Sequence, residues 1–288
     1  MQVNVKIINA FSINKTGGNP AGVVLNSNEL TSEQKQGIAL KLGLSETAFV
    51  SSSNVADYKL EFFTPTKQIA HCGHATIASF SYMKQNGIIK QNNSSKETID
   101  GIRKINFIDS DAFMEQKAPS YQIVTEFKKA FLKSLNLQNE DLVNALEPAI
   151  VNTGNFFFIA GVKSENILKE IKPDFEKIKE LSAQFNLIGY YIFTDKTEDK
   201  TFDATARMFA PLYGINEESA TGMAGGPLGC YLYKNGLEKI NINIQQGKFM
   251  TIPSKSMIKV NLNIEDGKIV NLFAGGNAYS SDEINIEI

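Results

Sequence analysis

This chain of 288 residues has only two histidines, and they stand three apart in His71-Cys72-Gly73-His74. Imidazoles in such a segment can bind a metal, hydrogen-bond locally or carry protons. A metal needs third and fourth ligands, and no further Cys or His stands nearby in a zinc spacing, so no metal is expected. Gly73 to Gln85 reads as an apolar helix stopped by Asn86-Gly87, which puts the segment at a helix N-terminus. Local hydrogen bonding stays open. The expectation for His74 is substrate contact or proton handling, with His71 at a pocket edge or on the surface.

Glu46 lies in Leu44-Ser45-Glu46-Thr47-Ala48-Phe49, between a helix and a strand. It reads equally as a solvated loop acid or as a general acid/base beside an apolar strand, and the residues alone do not choose. The stretch NEESATGMAGG, residues 216 to 226, sets two acids before a glycine-rich helix start. That pattern fits an N-capping cluster, or a second acid/base or anchoring group. In KTGGNPAGVV, residues 15 to 24, glycines and a proline let the backbone approach a ligand. Its spacing matches neither a phosphate-binding loop nor a dinucleotide fingerprint. The nucleophile elbow Gly-x-Ser-x-Gly is absent from the chain.

The elements around these residues follow from periodicity. Val3, Val5 and Ile7 alternate as a half-buried strand, and Thr31 with Gln34 forms a capping box that opens a helix to about Leu42. Ala48–Ser52 and Tyr58–Phe63 read as strands, and polar Lys90–Thr98 as a surface turn or loop. Later come helices near Phe127–Leu135 and Glu140–Leu146, a strand at Asn155–Val162 and one amphipathic helix over Glu165–Phe185. Strands follow at Leu187–Thr194 and Thr201–Phe209, and the tail from Lys239 alternates as a β-ladder.

The order repeats. Phe63-Thr64-Pro65, Cys72-Gly73 and an Asn86-Gly87 helix stop are matched by Phe209-Ala210-Pro211, Thr221-Gly222 and Asn235-Gly236. Gly73 to Asn86 and Gly222 to Asn235 have the same spacing, and both helices are apolar nearly all round, hence buried. Pro227 is expected near the first turn of the second. Two similar β-rich lobes follow, each wrapping one central helix. Facing helix N-termini would make a cleft for a carboxylate.

Composition bounds the partners. The chain is 42% hydrophobic, with 29 basic against 31 acidic residues and a net charge of −2, so neither nucleic acid nor a membrane surface is expected. The N-terminus lacks the apolar stretch of a signal peptide, and the two cysteines stand far apart, which together suggest a reducing cytoplasm.

Gly18-Asn19-Pro20-Ala21-Gly22-Val23, Ser45-Glu46-Thr47-Ala48-Phe49, Phe63-Thr64-Pro65, Cys72-Gly73-His74-Ala75-Thr76, Arg207-x-Phe209-Ala210-Pro211 and Ala220-Thr221-Gly222 stand in the order of one known family. Through them the chain resembles the PhzF-like isomerases of phenazine biosynthesis, related in fold to diaminopimelate epimerase. The resemblance implies an α+β fold of two lobes, each a curled, barrel-like mixed sheet around a helix, here residues 1–118 with about 276–288, and 119–275. It implies no metal, no organic cofactor and a homodimer. It also implies Glu46 as the catalytic glutamate, His74 as its helper beside Gly73, and Glu218 where the family has aspartate. Asn19 and Gly222 correspond to substrate contacts, and Cys72, Ser219 and Met223 to positions lining the same site.

Three departures stand together: glutamate at 218, Ser219 for a proline and Met223 for a serine. A methionine cannot donate the hydrogen bond of the lost hydroxyl, which disfavours the phenazine precursor by about 1–3 kcal/mol for one unmade buried bond. The leading expectation is a cofactor-independent isomerase that moves a proton between carbons of a small carboxylate-bearing metabolite. The alternatives are an epimerase or racemase using Glu46 and Cys72, and a non-catalytic small-molecule binding protein on the same scaffold.

Overall fold

The computed structural model describes residues 1–288. From the N-terminus run β1 (Gln2–Ala10), β2 (Asn19–Val24), α1 (Ser32–Leu42), β3 (Thr47–Ser51), β4 (Tyr58–Phe63) and the short β5 (Gln68–Ile69). Then come α2 (Gly73–Gln85), β6 (Asn93–Thr98), β7 (Gly101–Ile108), β8 (Asp111–Lys117) and β9 (Ser120–Ile123). The middle of the chain forms α3 (Lys128–Ser134), β10 (Ala149–Asn152), β11 (Phe156–Gly161), α4 (Glu165–Glu170), α5 (Phe175–Gln184) and β12 (Leu187–Thr194). It ends with β13 (Ala204–Ala210), β14 (Ile215–Glu218), α6 (Gly222–Lys234), β15 (Asn241–Gln246), β16 (Ser256–Glu265), β17 (Lys268–Gly276) and β18 (Ala278–Glu287). The chain divides into two compact units, Met1–Glu115 with Gly275–Ile288, and Gln116–Ala274.

In the first unit the sheet curls around α2. β1 pairs antiparallel with both β18 and β2, so the C-terminal strand returns to the first one. β2 runs parallel to β3, and β4 lies antiparallel to β3 and parallel to β6. α2 packs on β1, β2, β3 and β18. Its residues from Gly73 to Ser81 are all buried, as its composition requires. Both halves of the α1 capping box form, Thr31 accepting from Gln34 N and Gln34 from Thr31 N.

The second unit repeats the plan with α6 against β10, β11 and β16. On the outer face of β11 and β12, Phe131 of α3 stacks on Phe158 with ring centroids 4.1 Å apart, and Tyr190 tilts against both. Each such fully buried aromatic is worth roughly 1.5–3 kcal/mol.

Four local expectations need correction. Lys90–Thr98 is not a loop throughout, because Asn93–Thr98 forms β6, an inner strand with Ser94, Lys96 and Thr98 turned inward. The proposed helix at Glu140–Leu146 reduces to one 3-10 turn, Asn139–Asp141. The single helix over Glu165–Phe185 is two, α4 and α5, because Pro173 supplies no N–H and Asp174 caps α5 by accepting from Lys177 N at 3.2 Å. Pro227 sits in the second turn of α6, not the first, and leaves the Met223 carbonyl without its usual N–H donor.

Candidate active site

Glu46 is placed by β2. Gly22 N donates to Glu46 O at 3.1 Å, at the point where β2 and β3 begin their parallel register. A Cβ on Gly22 would lie 2.4 Å from Leu42 Cδ2 and 3.0 Å from the Thr47 side chain, so any larger residue would force Leu42 to move. Glu46 is buried at 8% exposure, so the solvated-loop reading does not describe it. Its Oε2 makes no hydrogen bond and lies 3.4 Å from His74 Nε2. Buried carboxylate oxygens are almost always bonded, so this one stands out.

His74 enters from the first turn of α2, which Cys72 opens in extended conformation without a side-chain cap. Cys72 Sγ lies 3.6 Å from His74 Nδ1, on the ring edge away from Glu46. Donor atoms of the three residues all fall within 4.8 Å of one another. The third group that sequence spacing could not supply therefore arrives from the turn that leads into β3. The thiol and carboxylate, however, address opposite ring nitrogens. A tripod around one ion needs the imidazole lone pair aimed where both others point, whereas here the imidazole stands between the thiol and the carboxylate. His71 is half-buried against Phe62 and is held well below the usual histidine range by burial, with Lys96 and Arg103 adding to it. Asn19, at the start of β2, is buried opposite Ala10.

The second unit holds the other predicted positions on β14 and α6. The two adjacent acids separate by strand alternation. Glu217 takes a bidentate pair from Arg207, with Nε and Nη2 each at 2.8 Å, while Arg207 Nη1 donates to the carbonyls of Leu168, Lys169 and Ile171. Arg207 and Glu217 are thus structural. Glu218 instead accepts from the Thr221 hydroxyl.

Gln246 fastens the turn that carries Glu218. Its Nε2 donates to Glu218 O at 2.7 Å and to Thr221 Oγ1 at 3.1 Å. Its Oε1 accepts from Tyr191 OH at 2.9 Å and from Thr221 N at 3.1 Å. Burial, with Glu218 nearby, pushes the Tyr191 phenol well above its ordinary value. Ser219 is buried within this turn.

At the start of α6, Gly222 O accepts from Gln116 Nε2 at 2.9 Å. A Cβ on Gly226 would come within 2.2 Å of Gln116 Oε1, so this helix face needs glycine. Met223 cannot donate, but its sulfur accepts from Asn155 Nδ2 at 3.6 Å.

Sequence reading missed Gln246, Tyr191, Gln116, Asn155, Thr76 and Lys96. For Gln246 a signal existed, because Ile242, Ile244 and Gln246 share one parity on β15. Lys96 had no such signal, since the residues that share its parity on β6, Ser94 and Thr98, are polar.

Mixed sheets curled around buried helices, with an acid and an imidazole at a helix N-terminus, define an α+β protein of the diaminopimelate epimerase-like class. The model of the PhzC-PhzF family, described as phenazine biosynthesis-like protein, matches residues 8–281, and the chain belongs to that family. It is 36% identical over 242 residues to an uncharacterized isomerase of Clostridium acetobutylicum, covering 81% of this chain and 80% of that one. To an uncharacterized isomerase of Bacillus subtilis it is 31% identical, covering 84% and 82%. Among solved structures it is similar to a PhzF-family protein of Bacillus anthracis, with a TM-score of 0.89, 28% identity and all of both chains covered.

Proposed function

We propose that Glu46 is the general acid/base of a proton-moving isomerase acting on a small carboxylate-bearing metabolite. The observation that carries this reading is the buried, unbonded Glu46 Oε2 facing the His74 imidazole. Glu46 removes a proton from a carbon acidified by conjugation, and the electron pair moves into the conjugated system. The carboxyl, whose proton exchanges with solvent, then delivers a proton to a second carbon of that system. No electrons leave the substrate, and the glutamate is regenerated. His74 polarises the substrate or carries the proton, with Cys72 fixing its far ring edge. Glu218 anchors or assists, and Met223 with Asn155 excludes a substrate group that needs a hydroxyl partner. In this reading the enzyme works as a cytoplasmic homodimer, with neither metal nor organic cofactor.

The test is solvent-deuterium uptake in D2O from a pool of conjugated cyclic and amino carboxylic acids, read by mass spectrometry. Uptake into one compound that Glu46→Gln abolishes is the expected result. Uptake that survives Glu46→Gln refutes the role of this glutamate.

A second reading rests on the place of Cys72, whose thiol belongs to the same buried group. An epimerase would pair Glu46 with Cys72 on opposite faces of one carbon. It requires that Cys72→Ser abolish exchange at a stereocentre, and full activity in that variant removes it.

A further inference from the structure

Lys96 is fully buried at 0% exposure, in the middle of a sheet, and the chemistry above makes no use of it. The other buried lysine differs. Lys35 pairs with Glu61, as half-buried Lys248 does with Glu165, each at 2.5 Å. The Lys96 Nζ instead meets Thr76 Oγ1 at 2.6 Å, His71 Nδ1 at 3.3 Å and the Phe62 ring, 5.1 Å to its centroid.

All three partners are acceptors. The Thr76 proton is already given to Cys72 O at 2.6 Å, so its hydroxyl presents a lone pair to Lys96. Burial holds the His71 pKa well below its ordinary value, so the neutral ring has one acceptor nitrogen, and opposite an ammonium 3.3 Å away that nitrogen is Nδ1. The third partner is the negative face of an aromatic ring. An ammonium has three N–H groups for three acceptors, whereas a neutral amine would turn its own lone pair against one of them.

Those contacts fall on both ends of one short segment. His71 precedes Cys72, and Thr76 reaches back from the first turn of α2 to the Cys72 carbonyl. Cys72 and His74 stand between. We propose that Lys96 is the positioning residue of the site, its ammonium pinning the His71–Thr76 turn so that Cys72 and His74 are presented in register to Glu46. This assignment rests on the reading of Glu46 and His74 as the reacting pair, but its geometric half can be tested without a substrate.

The experiment compares wild type, Lys96→Met and the gentler Thr76→Val, which removes the hydroxyl link and keeps the shape. With only two histidines in the chain, ring 15N spectra of ligand-free protein report His71 and His74 separately. His74 itself meets Cys72 through Nδ1 and Glu46 through Nε2. The expected result is that its ring signals shift in both variants, while Lys96→Met melts no lower than wild type at pH 6. Unmoved His74 signals overturn the proposal, as does a lower melting temperature, which would make Lys96 an ordinary structural clamp.

Deuterium uptake into the same pool of carboxylic acids is then expected to slow at least tenfold in Lys96→Met. Uptake within twofold of wild type overturns the assignment. If Glu46→Gln stays active, the proton-transfer reading fails by itself, and the His74 spectra still decide whether Lys96 holds the turn. Should Lys96→Met not fold, Thr76→Val carries the same spectral and uptake comparisons.

Discussion

Replacing Lys96 by methionine tests whether a buried charge is kept at the expense of stability. Burial pushes the Lys96 ammonium from its ordinary 10.5 down to about 7, with Arg103 adding to the shift and Cys72 and Asp100 opposing it. At about 1.4 kcal/mol for each pH unit, that displacement costs the folded state about 5 kcal/mol when the amine is protonated. Methionine removes this cost and gives up the bonds to Thr76 and His71 and the contact with the Phe62 ring, roughly 1 kcal/mol each. The net expectation is a variant more stable than wild type by about 2 kcal/mol at pH 6, a rise of roughly 4–8 °C in melting temperature.

The pH dependence has a fixed sign. Because the folded pKa is lowered, the unfolded chain binds more protons between pH 7 and 10.5, so wild-type stability rises with pH across that window. Lys96→Met lacks the term, and its advantage of about 2 kcal/mol therefore shrinks from pH 7 upward by about 1.4 kcal/mol per unit, is gone by about pH 8.5 and reverses above it. Urea or thermal melts of both proteins at pH 6, 7.5 and 9 measure the difference, in which every other titrating group cancels. A stability difference that does not change with pH would refute the reasoning, because the lysine would then titrate as if exposed.

Three further outcomes follow from the same contacts. Glu46→Gln should slow deuterium exchange by about 10²–10⁴-fold with little loss of stability, checked by uptake rates alongside a thermal melt. Arg207→Met leaves the half-buried Glu217 carboxylate, and the carbonyls of Leu168, Lys169 and Ile171, without their donor. It should destabilise by about 3–5 kcal/mol in urea melts, and Arg207→Met combined with Glu217→Leu should recover part of that loss. Gln246→Leu strips partners from Glu218 O, Thr221 and Tyr191 at once. It should destabilise by about 2–4 kcal/mol and slow exchange, and unchanged uptake would detach Glu218 from the chemistry.

The sequence by itself determined the central helices, their glycine starts and Asn-Gly ends, the alternating strands and the capping box at Thr31, because periodicity and capping are local. It also determined which acids and imidazoles were candidates, since residue type sets what a group can donate or accept. Tertiary structure decided their company. Glu46 stands between α1 and β3 and His74 on α2, and only the β2–β3 register brings their side chains within 3.4 Å of each other. Glu217 and Glu218 are chemically alike, and it is strand parity against β13 that gives one to Arg207 and the other to the helix-start turn. Lys96 shows the limit most plainly. In KQNNSSKET it reads as one more solvated charge, because its burial depends on β4 and β7 flanking β6, pairings between residues up to 38 positions apart that no local pattern encodes.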